Sequence, residues 1–256
     1  MGGYIDLHTH LLPGIDDGSR TAEQSTGVLK AMAAAGVHTV ALTPHVAASE
    51  LADHRSDAVE HRDETWEILK AEAPDVPRLV IGFEVMLDEL MPIEALADRR
   101  LSLAGSRYFL VEFPLRISPE DVVVHVQHVC DHDVVPVVAH PERYWHCSLS
   151  DIAEWWELGA RMMVDATTLI KHGPRGRCAR RLVERGLADL VASDNHGGRR
   201  NLVTAVRYLE ERGFHEAARL LAVENPRAVV EDGEMAAAQP LVSANGWLRR
   251  VLRMRE

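Results

Sequence analysis

The stretch Val134-Val135-Pro136-Val137-Val138-Ala139-His140 has six apolar residues in a row and ends in a histidine. A strand of a parallel sheet is covered by helices on both faces, so it is typically a continuous apolar run of this kind. The chain has six further apolar, β-branched runs, at Tyr4–His10, His38–His45, Leu79–Val85, Tyr108–Pro114, Arg161–Thr168 and Leu187–His196. The seven runs predict seven parallel strands.

The spacing of the runs predicts how the strands are connected. The first and last runs begin 183 residues apart over six intervals, or about 30 residues per interval, which is the length of a βα unit. Helix signals lie between them: Thr21-Ala22-Glu23-Gln24 is typical of a capping box, and Ser118-Pro119 of an N-cap followed by proline. Seven βα units predict an α/β barrel of the TIM type with one unit missing, and an open doubly wound sheet is the alternative.

Composition excludes several classes of protein. The chain has 256 residues, of which 46% are hydrophobic and 26% charged, as in ordinary globular proteins. No apolar run is long enough for a transmembrane helix, and the first residues lack the pattern of a signal peptide. The three cysteines, Cys130, Cys147 and Cys178, are too few and too far apart for a disulfide framework, so we expect a cytoplasmic protein. The net charge of −11 argues against nucleic-acid binding.

No linker divides the barrel pattern, so residues 1–232 are expected to form one domain. After Gly233 the pattern becomes irregular, and Trp247–Arg255 then has the spacing of a short basic amphipathic helix. We therefore expect a C-terminal extension over residues 233–256. Its helix either docks on the barrel or contacts a membrane surface or a partner.

Most of the predicted strands end in histidines or carboxylates. In a parallel barrel the carboxyl ends of the strands form one rim, which is where active sites lie. Alternation along a strand places His8 and His10 on one face, and likewise Asp194 and His196. Side chains of this kind lie at or just beyond the strand ends at His8, His10, Asp16, Asp17, His45, Glu84, Glu112, His140, Asp165, Asp194 and His196.

One such residue alone is usually a hydrogen-bonded structural side chain, but their convergence predicts a metal site. Buried together without cations, they would cost many kcal/mol in desolvation and repulsion. Zinc needs roughly four ligands, so this larger set predicts two or three divalent ions. Mixed imidazole and carboxylate ligands suit Mn, Fe or Zn.

Arginines follow two of these strand ends. Arg143 lies three residues after His140, and Arg199 and Arg200 lie shortly after His196. Guanidinium groups at the rim can hold phosphate oxygens in a fork, although solvated surface arginines are the plain alternative. No cysteine is followed six positions later by arginine, which excludes a thiolate phosphatase. The GxSxG, Walker A, HExxH and GxGxxG motifs are absent as well.

At these residues the sequence resembles a known family. Asp6-Leu7-His8-Thr9-His10-Leu11-Leu12-Pro13-Gly14-Ile15-Asp16-Asp17-Gly18 is similar to the opening motif of the PHP (polymerase and histidinol phosphatase) superfamily. The resemblance is closer still to the bacterial manganese-dependent protein-tyrosine phosphatases linked to capsule and exopolysaccharide synthesis. It covers residues 4–231, with further matches at Thr43–His45, Gly82–Val85, Val111–Pro114, Ala139–Tyr144, Ser193–His196 and Glu224–Arg227.

The resemblance implies a distorted (β/α)7, TIM-like barrel of the PHP type with a three-metal centre. Arg143 and Arg200 match the phosphate-binding arginines of the family, although Arg199 is hard to tell from Arg200 here. Asp165 stands where the family usually has asparagine. The carboxylate either adds a metal ligand or only changes a hydrogen bond. The metal ligands that the resemblance implies are His8, His10, Asp17, His45, Glu84, Glu112, His140, Asp194 and His196.

The main hypothesis is therefore a metal-dependent phosphomonoesterase acting on phosphotyrosine. The resemblance implies that its partner is a phosphotyrosine protein, namely the tail of a bacterial tyrosine kinase that regulates polysaccharide synthesis. A small-molecule phosphatase, such as one for histidinol phosphate, keeps the chemistry and changes the substrate. A metal-stabilised, non-catalytic binding partner of a kinase or polysaccharide assembly is the third hypothesis. Whether the chain forms a homo-oligomer is left open.

Overall fold

The computed structural model describes residues 3–241, except for the side chains of residues 54–56, and in it strands alternate with helices. The strands are β1 (Tyr4–Asp6), β2 (Val37–Leu42), β3 (His45–Ala47), β4 (Arg78–Ile81), β5 (Glu84–Met86), β6 (Tyr108–Glu112), β7 (Val135–Ala139), β8 (Arg161–Asp165) and β9 (Leu190–Ala192). The helices are α1 (Ala22–Ala34), α2 (Ala48–Glu72), α3 (Ile93–Leu96), α4 (Pro119–Cys130), α5 (Leu149–Glu157), α6 (Ala166–Ile170), α7 (Pro174–Glu184), α8 (Val203–Glu210), α9 (His215–Arg219) and α10 (Asn225–Val230).

All strand pairs within residues 3–241 are parallel, in two sheets of order β1-β2-β4 and β3-β5-β6-β7-β8-β9. The division into two sheets arises because two of the predicted strands are interrupted. Pro44 has no N–H for the ladder and separates β2 from β3. Gly82 lies between β4 and β5, where the backbone of Ser102 approaches closely, with Ser102 O 3.0 Å from the position of an added Cβ. The pieces still run side by side, since Glu84 N donates to Pro44 O at 3.0 Å.

The last strand returns to the first. Thr9 forms a parallel bridge with Asn195, and His10 N donates to Asn195 O at 2.8 Å. The Asp6 carboxylate, at the end of β1, accepts from Ser193 N at 3.0 Å. The strands thus follow one another in chain order, as in a distorted TIM-like barrel. In the open doubly wound alternative the first strand would lie at the centre of the sheet.

The predicted strands lie at the predicted positions, but five of the seven end earlier than predicted, while the interrupted runs His38–His45 and Leu79–Val85 extend to Ala47 and Met86. The extreme case is Arg161–Thr168, for which the prediction is wrong beyond Asp165. The Asp165 side chain accepts from Thr167 N at 2.6 Å and from Thr168 N at 3.0 Å, and so starts α6. An N-cap of this kind ends the extended backbone and turns the chain over the rim.

Both predicted helix starts are confirmed. Thr21 accepts from Gln24 N and precedes α1, and Ser118 accepts from Asp121 N and precedes α4. The reciprocal half of the predicted capping box is missing, because Gln24 Oε1 accepts from Arg20 N instead. A single N-cap hydrogen bond is therefore enough to define the start of α1.

The buried side chain of Asn225 helps to hold the segment after α10 against the barrel. Asn225 Nδ2 donates to the carbonyls of Asp189 and Ala236, and its Oδ1 accepts from Ala236 N, each at 2.9 Å. Leu241 N then donates to Glu184 O at 2.9 Å. The predicted helix over residues 247–255 lies outside the described residues, so the division at residue 232 stays a prediction. Among residues 3–241 we find no helix with the length and hydropathy needed to cross a bilayer.

Replacing Asn225 by alanine should destabilise the protein by about 1–3 kcal/mol, because the buried carbonyl of Asp189 and the backbone groups of Ala236 lose their partner. Chemical unfolding of the two proteins measures this difference. Gln127→Ala, at an exposed position of α4, is the control and should change stability by less than about 0.5 kcal/mol. Equal stabilities for wild type and Asn225→Ala would contradict the anchoring role.

Candidate metal centre

The structure brings together all nine side chains predicted as metal ligands. His45 and Glu84 begin β3 and β5, the short strands that continue β2 and β4, and the other seven lie at or just beyond the carboxyl end of a strand or in the loop after β1. The topology rather than sequence proximity therefore assembles them. Their ligand atoms form four overlapping groups in which every atom lies within 4.8 Å of the others. The groups are His10, Asp17, His45 and His196; His8, Glu84 and His140; His8, His10 and Asp194; and His45, Glu84 and Glu112.

Glu84 lies at the middle of the cluster. It is fully buried at the start of β5. Its Oε2 lies 3.0 Å from His8 Nε2, 3.2 Å from His10 Nε2 and 3.2 Å from His45 Nδ1. Its Oε1 lies 3.0 Å from His140 Nε2. One carboxylate therefore faces four imidazoles from three different parts of the chain.

These distances fit ligands of shared cations better than a hydrogen-bond network. Glu84 Oε2 is buried and has no hydrogen-bond partner among the described residues, although three imidazole nitrogens lie 3.0–3.2 Å away. Likewise, His8 Nε2 and His10 Nε2 lie only 3.1 Å apart. Two ligands bound about 2.1 Å from one ion lie roughly 3.0–3.4 Å apart. The donor set is thus arranged as a divalent metal centre requires.

The cluster is open on one side. The Asp17 side chain is 72% exposed, that of His45 35% and that of His196 28%, whereas those of His8 and His10 are almost fully buried. Asp17 Oδ1 lies 3.5 Å from His45 Nε2 and 3.4 Å from His196 Nε2. A substrate can therefore approach from the side of the Asp17 loop.

Two of the candidate ligands adopt left-handed backbone conformations, with φ of 38° at His140 and 49° at Asp194. Such a conformation costs a non-glycine residue about 1 kcal/mol or more and is typical of functional sites. The prediction that strand alternation brings Asp194 and His196 together is therefore wrong. A turn after β9 joins them instead, with His196 Nδ1 lying 3.0 Å from Asp194 O.

Asp16 is a residue of the site whose role sequence reasoning missed. Its Oδ2 lies 2.7 Å from His10 Nδ1, which leaves His10 Nε2 facing the cluster. It also accepts from Gly18 N at 2.9 Å and from His45 N at 3.3 Å. Metal-binding histidines are commonly held by a carboxylate in this way. The pair Asp16-Asp17 was the available signal, but only the structure shows which carboxylate faces the ligands and which holds His10.

The site is strongly electronegative. Burial alone would raise the pKa of Glu84, but the charge of His8 and the contacts with His10 and His140 hold it well below its usual range. Burial would likewise raise the pKa of Asp194, but its contacts with His10, His8 and Arg143 lower that pKa below its usual range. These carboxylates are thus ionised at neutral pH in a setting that favours cations.

The arginines meet the cluster at Asp194. Its Oδ1 lies 3.6 Å from both His8 Nε2 and His10 Nε2. Its Oδ2 accepts from Arg143 Nη2 and, at 2.7 Å, from Arg200 Nη1. Arg199 is exposed and has no such contact. The structure therefore brings Arg200, and not its neighbour, to the cluster.

Asp165 belongs to none of the four ligand groups. While its Oδ1 caps α6, its Oδ2 accepts from Arg143 Nη2 at 2.5 Å. Behind it, Glu142 Oε1 accepts from Asp165 N at 3.0 Å. Burial, with the nearby charge of Asp165, raises the pKa of Glu142 to about 8, so this acid is mostly neutral at pH 7. Asp165 is thus placed to hold Arg143 rather than to bind a metal.

Comparisons with known proteins identify a family and several relatives. Residues 4–231 match the family described as capsular polysaccharide synthesis, CpsB/CapC. The tyrosine-protein phosphatase CpsB of Streptococcus pneumoniae is 26% identical over 245 residues, covering 89% of this chain and 98% of CpsB. The tyrosine-protein phosphatase YwqE of Bacillus subtilis is 28% identical over 237 residues, covering 89% and 92%. One of the crystal structures of these two metal-dependent tyrosine phosphatases superposes with a TM-score of 0.77, at 27% identity over 93% of this chain and 99% of that chain.

Removing divalent metal should lower the melting temperature. A ligand at about a hundred times its Kd adds about 2.7 kcal/mol of stability, which corresponds to roughly 5–10 °C for a domain of this size. Calorimetry of chelator-treated protein, before and after addition of Mn²⁺, Fe²⁺ or Zn²⁺, measures the shift. A melting temperature that no metal changes would contradict a metal centre.

Gly18 provides a variant and a control for this experiment. A Cβ at Gly18 would lie 2.0 Å from His10 O, so Gly18→Ala must displace the loop that carries Asp17. The metal-induced rise should fall to less than half in this variant. Gly27, within α1, has no atom within 4 Å of an added Cβ, and Gly27→Ala should keep the full rise. Equal rises in the two variants would show that the loop takes no part in metal binding.

Proposed function

The chain belongs to the CpsB/CapC family of capsular polysaccharide synthesis proteins, and on this premise we propose that it is a metal-dependent phosphomonoesterase that removes phosphate from phosphotyrosine. The observation that carries the proposal is Asp194, which faces two imidazoles with one oxygen and two arginines with the other. The guanidinium groups of Arg143 and Arg200, which we propose bind phosphate, thus lie directly beside the candidate metal ligands. This is the arrangement that hydrolysis of a phosphate ester needs.

The metal ions of such a centre supply an activated water at neutral pH and neutralise phosphoryl oxygens. The chain contributes the geometry that holds them, since Asp16 fixes His10 and the turn after β9 fixes Asp194 and His196. Mn, Fe and Zn all suit this donor set. The residues that we propose hold the ions are His8, His10, Asp17, His45, Glu84, Glu112, His140, Asp194 and His196.

Arg143 and Arg200 would bind the phosphoryl group. Both hydrogen bonds that Arg143 makes through its side chain use Nη2, so Nε and Nη1 have no partner among the described residues. Burial alone would lower the pKa of Arg143. The charges of Asp194 and Asp165 outweigh burial and raise the pKa above its ordinary value, so the guanidinium stays charged. Two donors on one planar group can bind two phosphate oxygens at once as charge develops on them.

Asp165 and Glu142 act in this proposal through Arg143. Asp165 is fixed by its hydrogen bonds to α6 and in turn fixes the guanidinium. The neutral form of Glu142 avoids a further negative charge behind the phosphate site. The phenolate that leaves from phosphotyrosine has a conjugate acid of pKa about 10, and its departure needs no dedicated general acid from the chain.

A protein substrate is favoured over a small ester by the relatives, which are tyrosine-protein phosphatases. We further propose that this substrate is a bacterial tyrosine kinase that regulates polysaccharide synthesis, because the family is one of capsular polysaccharide synthesis. A cytoplasmic location is part of the proposal, since such a kinase uses ATP inside the cell.

Phosphate release tests the proposal. Metal-stripped protein should be inactive, and Mn²⁺, Fe²⁺, Zn²⁺ or Mg²⁺, added one at a time, should restore turnover of a phosphotyrosine peptide with at least one of them. Histidinol phosphate, assayed in parallel, should be a far poorer substrate by kcat/KM. A preference for histidinol phosphate would overturn the protein substrate, and no release from either ester with metal bound would overturn the phosphatase.

Neighbouring arginines give a matched pair of variants. Arg200→Ala should lower kcat/KM for the phosphotyrosine peptide by about 100-fold, as for the loss of one charge-stabilising donor in a reaction site. Arg199→Ala, which removes the same charge one residue away, should change it less than about threefold. Similar losses in both variants would mean that net charge at the rim, rather than the contact with Asp194, determines phosphate binding.

A further inference from the structure

Helix α7 and its C-cap residue carry three exposed arginines along one face, Arg177, Arg181 and Arg185. Residues four apart lie about 6 Å apart along a helix axis and on the same side. None of the three makes a side-chain hydrogen bond or an ion pair with another described residue. Arg180, on another face of the helix, is by contrast held by the carbonyls of Leu169 and Lys171. We call the three unpaired side chains the arginine row.

The arginine row forms one wall of the groove between α5 and α7, which has a volume of about 810 Å³. The facing wall includes Glu154 and Glu157, and Cys147 and Cys178 also line the groove. Neither glutamate lies within 4 Å of an arginine nitrogen, so the groove is not closed by salt bridges across it. The α7 wall is thus positive and the α5 wall negative, and the arginines of the α7 wall have no partner among the described residues.

Other exposed arginines, such as Arg78, Arg207 and Arg227, are also unpaired among the described residues, but the arginine row places three side by side on a chain whose net charge is −11. Like charges four residues apart on a helix repel each other, so the arginine row weakens α7 unless an anion lies against it. A flat anionic membrane would meet the glutamates of α5 together with the row, and the overall charge opposes nucleic acid. A single extended chain fits the groove better, with acidic side chains towards α7.

The groove is close to the candidate active site. Helix α7 packs against the short helical turn Pro141–Arg143, which supplies one of the proposed phosphate-binding residues. Cys147 lines the groove and follows Arg143 by four residues, which span at most about 14 Å even when fully extended. A peptide whose phosphotyrosine lies at the metal centre can therefore reach the groove with residues a few positions away.

We propose that this groove binds an acidic segment of the protein substrate, rich in Asp or Glu and close in sequence to the phosphotyrosine. The proposal rests on the proposed function for its substrate, but the binding itself does not require turnover. The row attracts the acidic side chains, and its four-residue spacing matches side chains that alternate along an extended peptide, about 6–7 Å apart. Selection for acidic phosphopeptides thus comes from a surface separate from the metal centre.

Direct binding tests the groove. The probe is a fluorescently labelled, unphosphorylated peptide of alternating Glu and Tyr residues, titrated with the full-length protein and followed by anisotropy. The triple variant R177A/R181A/R185A should bind it at least fivefold more weakly, and added salt should remove the difference. Alanine favours helix, so α7 should stay folded. The control R78A/R207A/R227A removes three exposed arginines elsewhere and should bind within twofold of wild type.

Kinetics provides the second readout. With an acidic phosphotyrosine peptide, R177A/R181A/R185A should raise KM at least fivefold and leave kcat unchanged. With a neutral phosphotyrosine peptide and with p-nitrophenyl phosphate, it should match wild type. Equal losses on all three substrates, or on the control triple variant, would overturn the groove as a selective site.

The two proposals fail in distinguishable ways. Binding of the acidic peptide through the arginine row without turnover of any phosphotyrosine peptide would overturn the phosphatase and keep the groove. Turnover of acidic and neutral peptides with equal KM in wild type would overturn the groove and keep the phosphatase. If the triple substitution abolishes binding to vesicles of anionic phospholipid while peptide binding is unchanged, the groove faces a membrane and the inference is wrong.

Discussion

A single buried carboxylate determines the organisation of this protein. Glu84 has no access to solvent and is surrounded by four imidazoles. A buried ionised group is costly unless it is paired, and the surrounding imidazoles offset only part of that cost. Divalent cations held by these side chains would offset the rest. The parallel strand order is what makes this possible, because it gathers residues from distant parts of the chain at one rim.

The fold was predictable because its signals are local and repeated. Strands covered on both faces must be apolar throughout, so Val135–Ala139 stands out against the helical periodicity around it. The cluster was predictable for a related reason: once strands are parallel, their carboxyl ends share a rim. His8, Glu84 and His140 could thus be grouped without any knowledge of their side-chain directions. Interruptions such as Pro44 shortened the strands without changing their order.

Details of the site were not predictable, since they depend on side-chain directions in turns. No periodicity distinguishes Asp16, which holds His10, from Asp17, which faces the open side. The same holds for Arg200 and Arg199, because the positive φ at Asp194 sets the path of the turn after β9. Asp165 was ambiguous because one carboxylate both starts α6 and holds Arg143.

The two proposals separate chemistry from substrate selection in space, with the metal centre at the rim and the arginine row on an outer helix. The central claim is that the nine clustered side chains bind metal ions. Anomalous diffraction from crystals grown with Mn²⁺ tests it most directly. We predict two or three anomalous peaks within coordinating distance of these side chains, with Glu84 beside at least one of them. The absence of any peak among them, with Mn²⁺ bound only at surface carboxylates, would contradict the account.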